Sequence, residues 1–374
     1  FGTHPQNVLR GMIYRNNEYP YLFNLIDQYR HLAKYNNGYS YNMMFVGPGW
    51  MNKMGRWEAP YELLVKAYED GCAYYGKLKK EGKLIDMTMA EFASYYRDNK
   101  EYKEPECALW EDILYGGGKE LFWYADPYFR TCVDLNQGGA LIDLRPNVAK
   151  LNWPVGIGTK HVYDASYPYL IQANYRAGYF THYAGEGTIK SAKISYEGEE
   201  VDLALCRTKG HFSQVGKARI LTLDPVEIVF KNLTVKIGSK LSFEEGSSAI
   251  KIEREILSIS DPKKSVEINE YMTGAYGTTE YSENMKGIKL SVIDEKEHSI
   301  SYNYKCRELV RSNAREAVVK VPQVKTLIKM YSNNKTTAYV REGYAFSPMY
   351  TLGLKKSLKE KEAFVTWLKL EKVN

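Results

Sequence analysis

Nowhere in the 374 residues is there an apolar run approaching the ~18 residues that a membrane-spanning helix needs, so a helical membrane span is excluded and no membrane partner is expected. Cysteine is sparse. Cys72, Cys107, Cys132, Cys206 and Cys306 lie far apart, with no C-x-x-C pair and no zinc spacing, which excludes a disulfide framework and a structural metal site. Their odd, scattered count favours a reducing, cytoplasmic location, and the Asn-x-Thr triplets at Asn232 and Asn334 are too short to establish secretion. No charge of one sign is concentrated. The net +6 divides into 14 basic against 12 acidic residues over 1–105 and 37 against 33 over the rest. The Lys clusters at 77–83 and 355–361 are interleaved with Glu in the manner of solvated faces, so nucleic acid is not the expected partner. There is no G-x-S-x-G elbow, P-loop, G-x-G-x-x-G before a helix or H-E-x-x-H, and hence no expected cofactor or metal. No internal repeat and no leader-like apolar segment is present, and the first residue is Phe1. A processed or truncated piece of a longer chain is therefore expected, with its N-terminal remainder or a second copy as partner.

What remains is an ordinary globular composition, 44% apolar and 26% charged, with one excess: 33 Tyr among 14% aromatics. Aromatic faces stack on sugar rings as well as on bases, and with nucleic acid set aside a glycan is the expected substrate. A Tyr-rich β fold with no such role explains the same count. The distribution sharpens the point, since 23 of the 33 Tyr fall within residues 1–185.

The period of the apolar residues changes along the chain. Over 21–35, Leu22, Leu25, Ile26, Tyr29 and Leu32 share one helical face; 43–46 reads as a short buried strand ending at Gly47-Pro48-Gly49. A long helix is expected from Pro60 to about Lys80, with Leu63, Leu64, Ala67, Tyr68 and Leu78 inward and Gly82 as its stop. Thr88-Met89-Ala90-Glu91 matches a capping box opening a helix through Tyr96. From Leu121 the period falls to two, and thirteen strands are expected between Thr131 and Leu370. The expected fold class is α+β: a helical, partial α/β barrel remnant over 1–105, then a large antiparallel β-sandwich over 106–374, with an irregular aromatic stretch at 145–187.

Two resemblances add to this reading. Gly2-Thr3-His4-Pro5 and Lys83-Leu84-Ile85-Asp86-Met87-Thr88-Met89-Ala90-Glu91-Phe92 resemble a late strand and the final strand and helix of a polysaccharide-deacetylase-type (NodB-like) barrel. Tyr128-Phe129-Arg130, Val133-Asp134 and Gln137-Gly138-Gly139-Ala140-Leu141-Ile142-Asp143-Leu144, followed by Ile250-Lys251-Ile252-Glu253-Arg254-Glu255, resemble a galactose-mutarotase-like supersandwich. Together they imply the C-terminal portion of a bacterial carbohydrate-active enzyme. The early Asp motif and the H-x-x-x-H metal pair of such deacetylases are absent, which implies that the front of the barrel lies outside this chain.

Candidate catalytic residues follow from the chemistry. His4 stands where the resemblance places a barrel mouth. His161 in Lys160-His161-Val162-Tyr163-Asp164, and His182 ahead of Glu186, combine imidazole, phenol and carboxylate as an acid–base set requires. Glycoside cleavage uses two carboxylates, and Asp126, Asp134, Asp143, Asp164 and Glu186 are the candidates, with Asp126, Asp164 and Glu186 carried as catalytic. Asp126-Pro127 is equally a turn initiator. Trp50, Trp57, Trp123, Tyr124 and Tyr163 are candidate sugar platforms, the alternative being an aromatic packing seam, while Arg130, Arg145 and Lys160 suit an anionic sugar. The expected function is glycoside hydrolysis; the alternatives are a polysaccharide lyase and a non-catalytic glycan-binding segment.

Overall fold

The computed structural model describes residues 23, 26, 27, 30, 31, 61–99, 105–112, 119–148, 169–172, 188–278, 281, 282, 285–344 and 347–373. Its chain divides into two compact units, Phe1–Lys119 with Ala177–Tyr179, and Glu120–Arg176 with Phe180–Asn374.

In the first unit, helix α1 (Tyr61–Lys80) buries Ala67 and Leu78, while Tyr68 is half-buried; the side chains of Leu63 and Leu64 lie outside the description. Phe23, Ile26, Asp27, Arg30 and His31 are helical; Phe23 packs on Tyr74, whose hydroxyl donates to Asp27. The chain leaves α1 through a Schellman turn. Gly82 takes φ +68, the Lys83 amide donates to the Leu78 carbonyl at 2.9 Å and the Gly82 amide to Lys79 at 3.0 Å. Lys77, Lys79 and Lys83 pair with Glu81 and Asp86 on the exposed side, so this Lys cluster is a solvated face. The capping box forms reciprocally. The Glu91 amide donates to Thr88 Oγ1 at 3.3 Å and the Thr88 amide to the Glu91 carboxylate at 2.7 Å, opening α2 (Met89–Asn99). Among the described residues before strand β1 (Glu106–Asp112) there is helix and turn only, so the expected barrel remnant is not seen there; 1–4 and 43–46 lie outside the described residues.

The described residues of the second unit are mostly antiparallel β-strand, with short 3-10 turns at Leu135–Gln137, Leu203–Leu205 and Pro322–Val324. Strands β2 (Lys119–Ala125), β3 (Phe129–Asp134) and β4 (Ala140–Pro146) form a meander that reaches β5 (Ile189–Tyr196) through Leu141 opposite Lys190. β5 pairs with β6 (Glu199–Asp202) and with β11 (Val266–Gly274), and β11 pairs with β18 (Ser347–Leu358). A second run passes through β7 (Gly210–Val215), β8 (Ala218–Phe230), β9 (Leu233–Glu244), β10 (Ala249–Ile259) and β19 (Ala363–Lys372). Strand β17 (Thr326–Tyr344) joins the two, because its first part pairs with β19 and its last part with β18. Its partner β16 (Glu308–Val321) bends with it at bulges on either side of Ala314, where Asn313 takes φ +59. β14 (Lys289–Ile293) and β15 (Glu297–Ser301) extend the sheet from β16, and β12 (Gly277–Thr278) pairs with β13 (Tyr281–Ser282) apart from it.

The core follows from alternation. Ile250, Ile252 and Ile256 of β10, Leu241 and Phe243 of β9, Ile268 and Met272 of β11, Leu352 and Leu354 of β18 and Phe364 and Leu368 of β19 are all buried at every second position. Glu270, Arg254 and Lys190 stand in the inward phase and form one set. Glu270 accepts from Arg254 Nε at 2.8 Å and also pairs with the Lys190 ammonium, and all three side chains are at most 1% exposed.

Candidate functional site

Two turns set the β2–β4 meander. At the first, the Asp126 carboxylate accepts the amides of Tyr128 and Phe129 at 2.7 and 2.9 Å and the Tyr124 hydroxyl at 3.1 Å. Burial pushes this carboxyl upward against the amides, which favour its charged form. At the second, Asp134 caps a short 3-10 turn by accepting the Asn136 amide at 2.9 Å and Gln137 Nε2 at 2.8 Å, and Gly138 and Gly139 turn back at φ +60 and +75. Asp126, expected as catalytic, is thus a turn-forming carboxylate, as its Asp-Pro sequence allowed.

The register places Trp123 opposite Cys132, Cys132 opposite Asp143 and Arg130 opposite Arg145. These side chains share one face, since directly opposed residues of antiparallel strands point to the same side. The alternate positions, Phe122 and Tyr124, point into the core, where Tyr124 is fully buried and stacks on Phe243. Tyr124 is therefore packing and not a sugar platform. Tyr169, from the irregular aromatic stretch, is likewise fully buried, in the segment that bridges through Ile171 to Leu144.

On the Trp123 face, Asp143 is 2% exposed and holds two guanidinium groups. Arg130 donates through Nε and Nη2 to its two oxygens at 3.2 and 3.1 Å, and Arg145 donates through Nε at 3.2 Å. The Arg130 guanidinium lies 5.2 Å from the Trp123 ring centre, a cation–π contact, and its side chain stays 39% exposed. Burial lowers the hold of Arg145 on its proton, and Asp143 opposes that. Of the sequence-derived site residues, the fold brings together Trp123 and Arg130, with Asp143 and Arg145 behind them. His4, Trp50, Trp57, His161, Tyr163, Asp164, His182 and Glu186 lie outside the described residues. Among the described residues no group of three or more His, Cys, Asp or Glu could hold a metal.

No family model matches this chain, and no curated protein matches it in sequence. Solved structures similar to it include a galactose mutarotase-like protein from Clostridium acetobutylicum, with a TM-score of 0.44 at 7% identity, covering 70% of this chain and 97% of that one. A galactose mutarotase related enzyme from Lactobacillus acidophilus gives 0.41 at 8% identity, covering 67% and 98%. A 4-alpha-glucanotransferase from Thermococcus litoralis gives 0.43 at 9% identity; the match covers 74% of this chain and 40% of the transferase. Each likeness is partial, and at such identities none carries a site residue across.

Proposed function

We propose that this chain is a carbohydrate-active enzyme or the C-terminal portion of one, that it hydrolyses a glycosidic bond, and that the Trp123 face holds the glycan. One observation carries the reading: a half-exposed guanidinium, fixed by a buried carboxylate, lies over the ring of an indole at the same sheet face. The indole offers a flat apolar surface for sugar C–H groups, and the guanidinium offers fixed donors for oxygen atoms. Asp126, Asp134 and Asp143 are each committed to turns or to arginine, and His4, His161, Asp164, His182 and Glu186 stay the sequence-derived candidates for acid and base, with no pair singled out. In the same reading, α1 and α2 belong to the end of a deacetylase-type barrel.

A lyase reading is favoured by Arg130 specifically, because a guanidinium beside a uronate carboxylate would ease removal of the neighbouring proton. Incubation of the full chain with a panel of neutral and acidic glycans separates the two. Reducing ends without ultraviolet-absorbing products support hydrolysis, and unsaturated products support elimination. In either case W123A should weaken glycan binding about tenfold, the contribution of one aromatic platform. Unchanged affinity of W123A for every glycan bound would refute the site, and a panel in which nothing binds would refute the function.

A further inference from the structure

We propose that Lys190 and Glu270, at the centre of the sandwich, are the reactants of a self-catalysed cross-link: an amide bond between the Lys190 side-chain nitrogen and the Glu270 side-chain carboxyl, formed after folding with loss of one water. It is independent of the glycan reading.

Placement comes first. Strands β5 and β11 pair with Lys190 opposite Met272 and Ala192 opposite Glu270, so Lys190 and Glu270 are diagonal neighbours on the inward face. Their side chains touch, the ammonium against Oε2 of the carboxylate, and both are 0% exposed. Ala192, Ile194, Ile268 and Met272, fully buried in the same phase of the two strands, keep water from both groups. In every other lysine–carboxylate ion pair among the described residues both side chains are at least 26% exposed, so water solvates both partners. Burial, with Arg254 beside it, pushes Lys190 well below its ordinary range, towards the neutral amine that is the nucleophilic form. Two reactants held in contact turn a bimolecular condensation into a step within one molecule.

Arg254 fits the step. Its Nε donates to Oε1 of Glu270 at 2.8 Å, so the oxygen facing Lys190 is the one that leaves. A proton passes from Nζ to Oε2 across the contact and gives amine and acid. The Nζ lone pair then attacks Cδ, and the carbonyl electron pair moves onto Oε1, where the guanidinium stabilises the developing charge. A second Nζ proton goes to Oε2, the Cδ–Oε2 bond breaks with its electron pair leaving on oxygen, and Oε1 becomes a carbonyl again. Two protons and one oxygen depart as water, and no oxidant or further reactant is needed. One buried cation and one buried anion disappear together, while Arg254 keeps Oε1 as acceptor and stays in the field of Asp202. The ion set is thus the freshly folded state, and the amide would tie β5 to β11 across 80 residues of chain.

The test is the intact mass of the full chain, measured by electrospray in denaturant on freshly purified protein and again on incubation of the folded protein until the mass stops changing. A species lighter than the sequence by the mass of one water is expected. Its tryptic digest should contain one branched peptide joining the Lys190 and Glu270 segments, with no cleavage after Lys190. K190R keeps the positive charge but has no primary amine at this position, and it should hold the sequence mass throughout. A wild-type mass that stays at the sequence value overturns the proposal and needs no variant to fold. A water lost at any other position, such as a cyclised Asp, overturns it as well. Loss of the same water in K190R overturns Lys190 as the nucleophile.

Discussion

Replacing Glu270 by Gln isolates the charge at the centre of the sandwich. Gln keeps the shape and one acceptor oxygen, so the Arg254 Nε contact at 2.8 Å can persist while the negative charge disappears. Arg254 is 1% and Lys190 0% exposed, so neither cation can turn to water. Burial already pushes Arg254 down to about 10, and burial together with Arg254 pushes Lys190 well below its ordinary range. Arg254 Nη1 has no hydrogen-bond partner among the described residues even with Glu270 present. Removing one partner of such a buried set costs about 3–5 kcal/mol, because the remaining charge is desolvated and uncompensated. At ~2–4 °C per kcal/mol for a unit of this size, E270Q should lower Tm by about 6–20 °C at neutral pH in differential scanning calorimetry of the full chain. The pH dependence has a definite sign. Lys190 in E270Q has a folded-state pKa depressed below its unfolded value of about 10.4, so the unfolded chain binds more protons and stability rises with pH towards that value. In E270Q the ammonium also loses its counter-charge, so its pKa falls further than in wild type and the gap should narrow on the alkaline side. The triple variant K190M/R254M/E270L, with no charge left to bury, should be more stable than E270Q. A Tm loss below about 2 °C in E270Q, or a triple variant less stable than E270Q, would refute the account of a buried charge set held by Glu270.

Two further outcomes test the turns. A Cβ on Gly138 would fall within 2.7 Å of the Leu203 carbonyl carbon at φ +60, whereas one on Gly198, at φ +87, would meet nothing within 4 Å. In urea unfolding, G138A should lose about 3–5 kcal/mol and G198A about 1–2 kcal/mol, and equal losses would refute the steric part of the argument. Glu342 is buried, which pushes its carboxyl up, yet the side chain of Arg307 and the amides of Asn303 and Arg307 together hold it below the ordinary range. A depressed folded-state pKa gives stability that is present above the unfolded value of about 4.3 and lost as pH falls through the folded value. The Tm difference between wild type and E342Q should thus shrink on acidification below about pH 4.3, and a gap constant down to pH 3 would refute it.

The sandwich strands were legible where alternation is strict and the partner face is wet. β8, β9 and β10 show it in the sequence, and the structure buries every second residue over most of their length. β18 shows no strict alternation, because Pro348, Gly353, Lys355 and Lys356 interrupt the apolar signal, although Tyr350, Leu352 and Leu354 are fully buried. In β16 and β17 the sequence signals strand only over 317–321 and 324–331. The remainder of that ribbon crosses between the two runs of strands through bulges and the exposed Asn333, Asn334 and Lys335, where the period of two is broken. Helix ends were the clearest of all, because the Thr88 box and the Gly82 stop are local chemistry that no tertiary contact overrides.

At the candidate site, residue types were legible and convergence was not. Trp123, Arg130, Asp143 and Arg145 stand in three strands, and only the registers fixed by the Asp126 and Asp134 turns bring them to one face. Tyr124 illustrates the same limit in reverse, since a one-residue step along β2 sends its ring into the core. The buried charge set did leave a signal. Arg254 shares its phase with Ile250, Ile252 and Ile256, Glu270 with Ile268 and Met272, and Lys190 with Ala192 and Ile194, all inward. A charged residue in the apolar phase of a strand must find its counter-charge inside, because water cannot reach it. Here β10 supplies a cation and the β5–β11 pair supplies the anion with a second cation, so Arg254 and Glu270 can meet only when β10 faces that pair in one registration. A slip of one residue in β10 or β11 would bury Glu253 or Asn269 in that place and leave one charge alone. The ion set is therefore expected to disfavour misregistered packing of the sandwich as well as to stabilise the native one.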